Sequence, residues 1–499
     1  MFERLRLCSH MLCLALCLLS GIAFAQTPDA CSPIKPKPKN SNVKVPDVGK
    51  PRTPAGGVSN GWVLLYEDDS YQKISDEVFC RNNKIQFSSS DGENRFNKNP
   101  NCTSTTCTKV VEQGNQTQVV LTGKYGNTNT FLWKGDFPFF SVLHTFAGPP
   151  NDGANASLLI KDAAGNFYGA TGQGGSANAG TVFKVDPSGK LTVLYSFTGG
   201  ADGGNPDSGL ARDSSGNLYG TTFYGGDVSC SGGVGCGVVF KLDASNVETV
   251  LHTFHGPPDG FEPGGVILDS SGNLYGGTYN GGPYCNCGIV YKLDTSNVET
   301  VLWNFTSGAD GWVPSGPLLM DSSGNLYGTA AFGGSGGYGT VFKVDQSGNE
   351  TTLFSFSGPP IDGCYPGGGV AMDGSGNLYG TTSDGCSGST FGTVWKVSGS
   401  NEFLMHTFTG GGDGATPYGV ILDALGNVYG TTSRGGVFNN GALFQVTPSG
   451  TETVLYDFSG SADGGGPGAL LLDSEGYLWG AAGGGGSAGY GTLWGFDLK

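Results

Sequence analysis

The feature that most constrains this chain is a ten-residue string that occurs seven times. Between Asp213 and Thr222 it reads DSSGNLYGTT, and related strings start at positions 162, 269, 321, 373, 423 and 473, which places successive copies 50 to 56 residues apart. An active site needs its chemical groups once, whereas a segment present seven times is a structural unit. The string therefore predicts a repeat architecture in which DSSGNLYG is scaffold.

Each repeat contains four strand-like pieces, which we name a, b, c and d. In the second copy they are SGLARD, NLYGTT, GVVFKLD and VETVLHTF, and a loop, HGPPDGFEP, leads to the next copy. Four strands of about six residues plus their turns fill a repeat of roughly 50 residues, which is the size of one propeller blade. The pattern predicts an all-β fold, a seven-bladed β-propeller over residues 140–499.

The two ends of the repeat array are complementary. A d-type segment, SVLHTF, precedes the first copy at residues 141–146, and the seventh copy has no strand d of its own. Pairing of residues 141–146 with residues 491–497 would supply the missing outer strand and leave no unpaired sheet edge at the junction. The sequence therefore predicts a closed ring with an N-terminal outer strand.

The residues before the array divide into three segments. Residues 1–25 resemble a secretory signal, with Arg4 and Arg6 before an apolar run and Ala23-Phe24-Ala25 as the cleavage site. Residues 26–57 are rich in Pro and Lys, which is typical of an extended linker. Residues 58–139 carry short β-branched and aromatic runs, and we expect a small β-rich module there. A secreted or extracellular protein follows, with the periplasm or cell surface as alternatives and no membrane span.

Charge limits the classes of partner. Residues 140–499 hold 10 Lys and Arg against 30 Asp and Glu. A surface that acidic repels phosphate backbones, so nucleic acid is not expected as a partner. We expect a monomer without a cofactor.

An Asp-Gly pair recurs in the loops from strand d to strand a, and it raises the alternative of bound Ca²⁺, which favours clustered oxygens. Six of the seven pairs have a proline four residues after the Asp, which is also an ordinary turn sequence. The turn is our preferred interpretation. The acids are Asp152, Asp202, Asp259, Asp310, Asp362, Asp413 and Asp463.

Several strings that occur together in a set order carry a family resemblance. GNLYGTT, GTVFKVD and TVLYSFTGG followed by Asp-Gly and Pro resemble the tandem GloVer repeat of secreted bacterial, choice-of-anchor proteins, across residues 140–499. The resemblance implies a secreted or surface-displayed repeat protein with a β-propeller-like fold. It implies no particular activity.

Positions at which the repeats differ are the candidates for function. Aromatic residues and one glutamate vary among the loops, on the face that the d–a and b–c loops are predicted to share. Flat apolar rings beside polar groups suit the C–H faces of sugars or an extended peptide, although packing of loop on loop is the alternative. These residues are Phe261, Glu262, Trp312, Tyr365 and Tyr418 in the d–a loops, and Phe223, Tyr224, Tyr279, Phe332 and Phe438 in the b–c loops.

Three functions remain open at this point. The first is a binding or interaction module for a polysaccharide or an extracellular protein. The second is a carbohydrate-active lyase or hydrolase, for which Glu262 with Asp207 or Asp310 is a candidate carboxylate pair. The third is a structural surface or matrix protein. The G-x-S-x-G spacing occurs, for example, at residues 333–337 and 485–489, but in glycine-rich segments predicted to join two strands rather than in a strand-to-helix elbow. The chain contains no H-E-x-x-H or phosphate-loop motif, so no catalytic residue is assigned.

Cysteines also interrupt the repeat, and an exported chain favours disulfides between them. The predicted pairs are Cys230 with Cys236, Cys364 with Cys386, and Cys102 with Cys107. We judge Cys285 and Cys287 too close in sequence for a relaxed bridge, and consider exchange with Cys230 and Cys236 instead. His144, His252 and His406 share one position of strand d on different blades, where a scaffold role is expected.

Overall fold

A computed structural model describes residues 140–498 apart from 157, 207, 359–360 and 385–390, together with six strands between residues 61 and 134. The six strands lie in one compact unit and residues from 140 onward in another. The segments predicted as signal and linker, residues 1–25 and 26–57, lie outside the described residues, as do Cys102, Cys107 and Cys386. No helix in the described part of the chain is long and apolar enough to span a membrane.

The N-terminal unit contains a four-stranded antiparallel sheet and a separate hairpin. The sheet has the order β1-β6-β5-β4, and β2 pairs with β3. The strands are Gly61–Leu65 (β1), Asp76–Arg81 (β2), Lys84–Ser89 (β3), Lys109–Gln113 (β4), Gln116–Thr122 (β5) and Thr128–Lys134 (β6).

The second unit is the predicted seven-bladed β-propeller, and each blade is an antiparallel sheet with the strand order a-b-c-d. Blade 1 contains Ala154–Ala156 (β8), Ile160–Lys161 (β9), Phe167–Gln173 (β10), Thr181–Val185 (β11) and Leu191–Ser196 (β12). Blade 2 contains Ala211–Arg212 (β13), Leu218–Thr222 (β14), Val238–Leu242 (β15) and Glu248–Thr253 (β16). Blade 3 contains Gly260–Leu268 (β17), Leu274–Gly281 (β18), Ile289–Leu293 (β19) and Glu299–Asn304 (β20). A 3-10 turn covers Ser231–Gly233.

Blades 4 to 7 follow the same order. They contain Trp312–Met320 (β21), Leu326–Phe332 (β22), Thr340–Val344 (β23) and Glu350–Ser355 (β24); Cys364–Met372 (β25), Leu378–Asp384 (β26), Thr393–Ser398 (β27) and Asn401–Thr407 (β28); Ala415–Leu422 (β29), Val428–Arg434 (β30), Ala442–Val446 (β31) and Glu452–Asp457 (β32); and Gly465–Leu472 (β33), Tyr477–Gly484 (β34), Thr492–Asp497 (β35) and Phe140–Thr145 (β7).

The ring closes as predicted, through a strand that comes from the start of the array. Strand β7 forms the outer strand of blade 7 and pairs antiparallel with β35, with Thr145 opposite Thr492 and Phe140 opposite Phe496. Phe146, the residue after β7, is fully buried and packs edge-on against Phe183 of blade 1, with 5.5 Å between ring centroids. The borrowed strand therefore joins blades 7 and 1 by hydrogen bonds and by apolar packing.

The hydrophobic core lies between adjacent blades. Phe197 from blade 1 packs edge-on against Phe240 from blade 2, at 5.0 Å between ring centroids, and both are fully buried. A Cβ atom on Gly220 would lie 2.6 Å from the Phe240 ring, so the glycine of N-L-Y-G is the residue that makes room for the aromatic side chain of strand c. Each blade thus presents one face to each neighbour.

The turn in DSSGNLYG is held by its first residue. The Asp213 carboxylate accepts hydrogen bonds from the Asn217 N–H at 2.9 Å and from the Tyr219 hydroxyl at 3.1 Å. Burial raises the pKa of Asp213, but the hydrogen bonds from Asn217 and Tyr219 outweigh it and leave that pKa below its usual value. Gly216 has a φ of 89°, which only glycine adopts without strain. The repeated string is scaffold.

Strand a begins earlier than the sequence indicates in blades 3 to 7. We expected the Asp-Gly segment to be a loop, but in blade 3 the strand starts at Gly260 and is interrupted by a register shift between Pro263 and Val266. The bulge lets an Asp-Gly-x-x-Pro segment join the ladder although proline has no N–H to donate. In blade 2, by contrast, strand a is only Ala211–Arg212, shorter than the predicted SGLARD.

The residue before the proline of the Asp-Gly segment has a positive φ and forms a hydrogen bond to the neighbouring blade. This residue and its equivalent in blade 1, which alanine follows instead of proline, have a φ of 55° to 62°. In the six blades with the proline, its N–H donates to a carbonyl oxygen of the preceding blade. Glu262 donates to Cys236 at 3.0 Å and Val313 to Cys287 at 2.9 Å. The seven residues are Asn155, Asn205, Glu262, Val313, Tyr365, Thr416 and Gly466.

Two truncations test the closing strand. A chain that begins at Phe140 retains β7, whereas a chain that begins at Ala147 loses β7 and the buried Phe146. We expect the second chain to be less stable than the first by at least about 3–5 kcal/mol, the cost of removing one buried phenylalanine. Chemical denaturation measures the difference. Equal unfolding midpoints for the two chains would contradict closure by this strand.

Val313 is a β-branched residue at a φ of 60°, which is a strained conformation for its side chain. Asparagine tolerates this region and occupies the equivalent position in blades 1 and 2, as Asn155 and Asn205. We expect Val313→Asn to stabilise the protein by about 1 kcal/mol in thermal unfolding. Val298→Asn, at an exposed valine without positive φ, is the control and should be neutral. A destabilised Val313→Asn variant would show that the strain is absent.

Candidate functional site

The d–a and b–c loops lie on one face of the propeller, because the start of each strand a pairs with the end of strand b in the same blade. Trp312 is opposite Phe332 in blade 4, and Ala415 is opposite Arg434 in blade 6. We call this side of the ring the loop face.

The Asp-Gly carboxylates are bound by their own loops. Asp310 accepts hydrogen bonds from the Thr306 N–H at 2.8 Å, from the Thr306 hydroxyl at 2.6 Å and from the Trp303 indole at 3.3 Å. Asp202 has the equivalent contacts from Thr198 and from the Tyr195 hydroxyl. Each acid holds its own turn, and this geometry favours the turn interpretation over a shared calcium ion.

Two aromatic clusters lie on the loop face. In the blade 4–5 cluster, Trp312 stacks on Phe332 with 4.7 Å between ring centroids, and Tyr365 meets Phe332 edge-on at 4.9 Å. These rings come from strands a and b of blade 4 and strand a of blade 5. The structure therefore places three of the predicted residues in mutual contact.

The blade 2–3 cluster contains Phe223, Tyr224 and Tyr279. Phe223 lies edge-on to Tyr224 at 4.9 Å and is 5.8 Å from Tyr279, measured between ring centroids. Tyr224 is 39% exposed, so its ring remains available to a ligand although it contacts a neighbour. Tyr224 thus packs against a neighbouring ring and is still partly exposed to solvent.

The remaining predicted residues differ in their surroundings. Tyr418 is 48% exposed and Phe438 is 43% exposed. Phe261 is half-buried and packs against the core between blades 2 and 3, and Glu262 accepts a hydrogen bond from the Asn280 amide. Tyr418 and Phe438 are therefore the more exposed of these four residues, whereas Phe261 and Glu262 are only partly exposed.

A cavity of about 440 Å³ lies where the strands a converge. Its wall is formed mainly by glycine backbone and by aliphatic residues such as Leu158 and Val420, and Tyr279 and Tyr418 also line it. No acid, histidine, lysine or arginine is among the described residues that line it. The cavity thus offers apolar surface, peptide groups and two phenols to a bound molecule.

The carboxylate pair considered for hydrolysis does not assemble in that cavity. Glu262 is hydrogen-bonded to Asn280, and Asp310 is buried and held by Thr306. Asp207 lies outside the described residues. The geometry gives Glu262 and Asp310 contacts typical of scaffold rather than of an acid and base that flank a substrate.

Disulfides brace the b–c loops. Cys230 is bonded to Cys236, as we expected. The expectation for the third blade was wrong, because Cys285 is bonded to Cys287, with 5.1 Å between their Cα atoms. The intervening residue Asn286 has a φ of 60°, and this local bend brings the two cysteines together. Cys364 is also disulfide-bonded, and its predicted partner Cys386 lies outside the described residues.

The structure also shows acid pairs at the blade boundaries that we did not predict. A glutamate is the first residue of strand d in blades 2, 3, 4 and 6 and the second in blade 5. Each glutamate lies near the Asp-Gly carboxylate of the loop before that blade. Burial, followed by the charge of Asp362, raises the pKa of Glu402 to about 7. Burial and the charge of Asp259 raise that of Glu299 to about 7 as well. The signal in the sequence is the recurrent glutamate: Glu248, Glu299, Glu350, Glu402 and Glu452.

The Asp362–Glu402 pair makes stability depend on pH. The pKa of folded Glu402, about 7, exceeds the 4.5 of an ordinary glutamate, so the folded protein binds that proton more tightly. Its stabilising effect is complete below about pH 4.5 and is lost as the pH rises through about 7. Because Glu402 is half-buried, we expect Glu402→Gln to stabilise the protein by only about 1 kcal/mol at pH 8 and to have no effect at pH 5.

Thermal unfolding at the two pH values measures this effect. Glu475→Gln, at an exposed glutamate in an a–b turn, is the matched control and should be neutral at both. The same effect of Glu402→Gln at pH 5 and pH 8 would show that the pKa of Glu402 is not raised in the folded protein.

Comparison with known proteins places the chain in a family. The model of the Gloeobacter/Verrucomicrobia repeat matches residues 110–234, 228–410 and 389–499. The first match starts upstream of residue 140 and so includes part of the segment expected to be a separate β-rich module. No curated protein matches the sequence.

Solved structures with similarity to this chain include several propellers. PorZ, a surface component of the type-IX secretion system of Porphyromonas gingivalis, is 12% identical over 84% of this chain and 56% of its own, with a TM-score of 0.43. A gluconolactonase from Xanthomonas campestris is 12% identical over 80% and 96% of the two chains, with a TM-score of 0.40. The calcium-binding protein regucalcin from Agrobacterium tumefaciens is 12% identical over 71% and 94%, with a TM-score of 0.36.

The fold and the repeat agree with the family match. The three matched segments together extend from residue 110 to residue 499, and they include every blade of the propeller. The chain belongs to the Gloeobacter/Verrucomicrobia repeat family.

Proposed function

We propose that this protein is an exported binding module whose loop face holds a neutral polysaccharide. The observation that carries the proposal is the grouping of variable aromatic residues on one face of the propeller, two of which line the axial cavity. Tyr418 is 48% exposed and lines the cavity, as does Tyr279, which belongs to the blade 2–3 cluster. Scaffold requirements are alike in all seven blades, so residues found in only some of them point to a ligand.

The chemistry of the face fits a carbohydrate. Aromatic rings pack well against the apolar C–H face of a sugar, and peptide groups and phenols supply hydrogen bonds to its hydroxyls. The excess of acids over bases in residues 140–499 disfavours anionic polymers, because like charges repel. A neutral polysaccharide suits both properties better than an acidic one does.

The surroundings of the site support binding rather than catalysis. Described residues that line the cavity include no carboxylate, imidazole or amine. General acid–base chemistry on a glycosidic bond needs two carboxyl groups that flank the substrate. This lining therefore favours binding of a polysaccharide over lyase or hydrolase chemistry.

An exported location belongs to the same proposal. The signal-like residues 1–25 and the disulfides Cys230–Cys236 and Cys285–Cys287 both favour an oxidising compartment outside the cytoplasm. Outside the cell, the protein would hold such a polymer rather than degrade it.

Retention on a panel of neutral and acidic polysaccharides in affinity electrophoresis tests the proposal. We expect Tyr418→Ala and Tyr224→Ala each to weaken binding of a neutral polysaccharide about 5- to 10-fold, the equivalent of about 1–1.4 kcal/mol per aromatic contact. Trp312→Ala is expected to abolish retention. Tyr418 and Tyr224 are partly exposed, so their removal should leave thermal unfolding unchanged.

Phe403→Ala is the matched control, because Phe403 is 53% exposed on the outer strand of blade 5, away from the loop face. This variant should bind as the parent does. Parent-like retention of the Tyr418 and Tyr224 variants would refute the proposal, as would the appearance of new reducing ends when the panel is incubated with the protein.

A further inference from the structure

We propose that the boundary between blades 2 and 3 binds a divalent transition-metal ion of the Zn²⁺ type through His252, Asp259 and Glu299. One ligand atom from each residue, an imidazole nitrogen and two carboxylate oxygens, lies within 4.8 Å of the other two. Imidazole and carboxylate are the ligands that Zn²⁺ takes in sites with one coordination position left for water. The site is separate from the aromatic clusters and does not depend on the proposed polysaccharide.

The three residues come from two blades. His252 lies on strand d of blade 2, Asp259 lies in the loop that follows it, and Glu299 is the first residue of strand d of blade 3. A metal ion here would join two outer strands that belong to different sheets.

Two of the three ligand atoms are buried and unsatisfied. Neither His252 Nε2 nor Glu299 Oε1 makes a hydrogen bond with any described residue, and both are inaccessible to solvent. Buried polar atoms almost always have a partner, because the loss of hydration is otherwise uncompensated. A cation between them would satisfy both atoms together with the Asp259 carboxylate.

The boundary between blades 7 and 1 has the histidine and the aspartate but no glutamate, so the distance between histidine and aspartate can be compared. Between blades 7 and 1, Leu191 occupies the place of Glu299, and His144 Nε2 lies 3.0 Å from Asp152 Oδ2 in a direct hydrogen bond. Between blades 2 and 3, the distance from His252 Nε2 to Asp259 Oδ1 is 3.5 Å, and the bond is not made. The contact between histidine and aspartate is therefore longer at the boundary that has the glutamate.

Asp259 also differs from its equivalents in what it already binds. At most other boundaries a Thr or Ser hydroxyl from the d–a loop donates to the Asp, as Thr409 does to Asp413 at 2.6 Å. His255 stands in that place before Asp259, and its ring instead contacts Asp227 Oδ2 at 2.8 Å. Apart from its side-chain contacts with His252 and Glu299, Asp259 accepts only backbone N–H groups, from His255 and Gly260. Its oxygens retain lone pairs for a metal ion.

One other boundary carries the same three residue types. Between blades 5 and 6, His406 Nε2 lies 3.6 Å from Asp413 Oδ2, and Glu452 Oε1 is buried without a partner. The Thr409 hydroxyl bond to Asp413 makes this a weaker site. The other boundaries have Tyr195, Trp303, Phe354 or Tyr456 in place of the histidine, or lack the glutamate.

Isothermal titration of the metal-free, tag-free exported chain with Zn²⁺ at pH 7.5 tests the proposal. We expect one tight Zn²⁺ ion, and we expect Glu299→Gln and His252→Tyr each to weaken its binding at least about tenfold, as loss of a ligand does. Tyrosine already occupies the equivalent position at residue 195, so His252→Tyr should fold. X-ray absorption should show nitrogen and oxygen ligands at about 2.0–2.2 Å.

Glu248→Gln and His144→Tyr are the matched controls, since each alters the same position at a boundary that lacks the full set of ligands. Both should bind Zn²⁺ as the parent does, and circular dichroism without metal should be alike for all variants. No tight Zn²⁺ in the parent, or equal loss in the controls, would overturn the site. Unchanged binding by Glu299→Gln would identify the bound Zn²⁺ as adventitious and overturn it equally.

Discussion

The pairing of Phe140–Thr145 with Thr492–Asp497 is the contact on which the rest of this propeller depends. Blades contact only their neighbours, so a ring has no other way to bury the faces of its first and last members. Closure also places the seven strands a around one axis and all the d–a and b–c loops on one side. The cavity, which segments from all seven blades line, depends on this closure.

Polar residues in the repeat act mainly as supports for loops and turns. Asp213 and its equivalents hold the a–b turns through backbone N–H groups and a tyrosine hydroxyl, while Asp310 and its equivalents hold the d–a loops. A carboxylate that accepts two or three hydrogen bonds of this kind rigidifies the segment around it. The loop face is therefore a rigid platform, and rigidity lowers the entropic cost of holding a ligand.

Differences among the blades are where function can reside. The clusters of Trp312, Phe332 and Tyr365 and of Phe223, Tyr224 and Tyr279 occupy only some blades, and so do the histidine and glutamate of the blade 2–3 boundary. His252 and Glu299 lie on outer strands, whereas the aromatic clusters lie on or next to strands a and b. A metal ion at the boundary would strengthen the ring, and aromatic residues at the axis would hold the ligand.

The amino-acid sequence by itself determined the number of blades, the order of their strands and the closure of the ring. Each of these follows from local patterns: the period of DSSGNLYG, the alternation of apolar residues, and the strand d that precedes the first copy. The sequence also identified the aromatic residues of the loop face, because they interrupt a repeat that is otherwise regular. It placed the start of strand a too late, since a bulge that contains Pro263 reads as a turn.

Only the tertiary structure decided which side chains meet. Asp362 meets Glu402, and Asp259 meets Glu299, about 40 positions further along the chain, and no local pattern encodes that distance. The bond between Cys285 and Cys287 likewise depends on a positive φ at Asn286 that composition does not reveal. Local periodicity specifies the repeating unit, whereas the contacts between units depend on how neighbouring blades pack against each other.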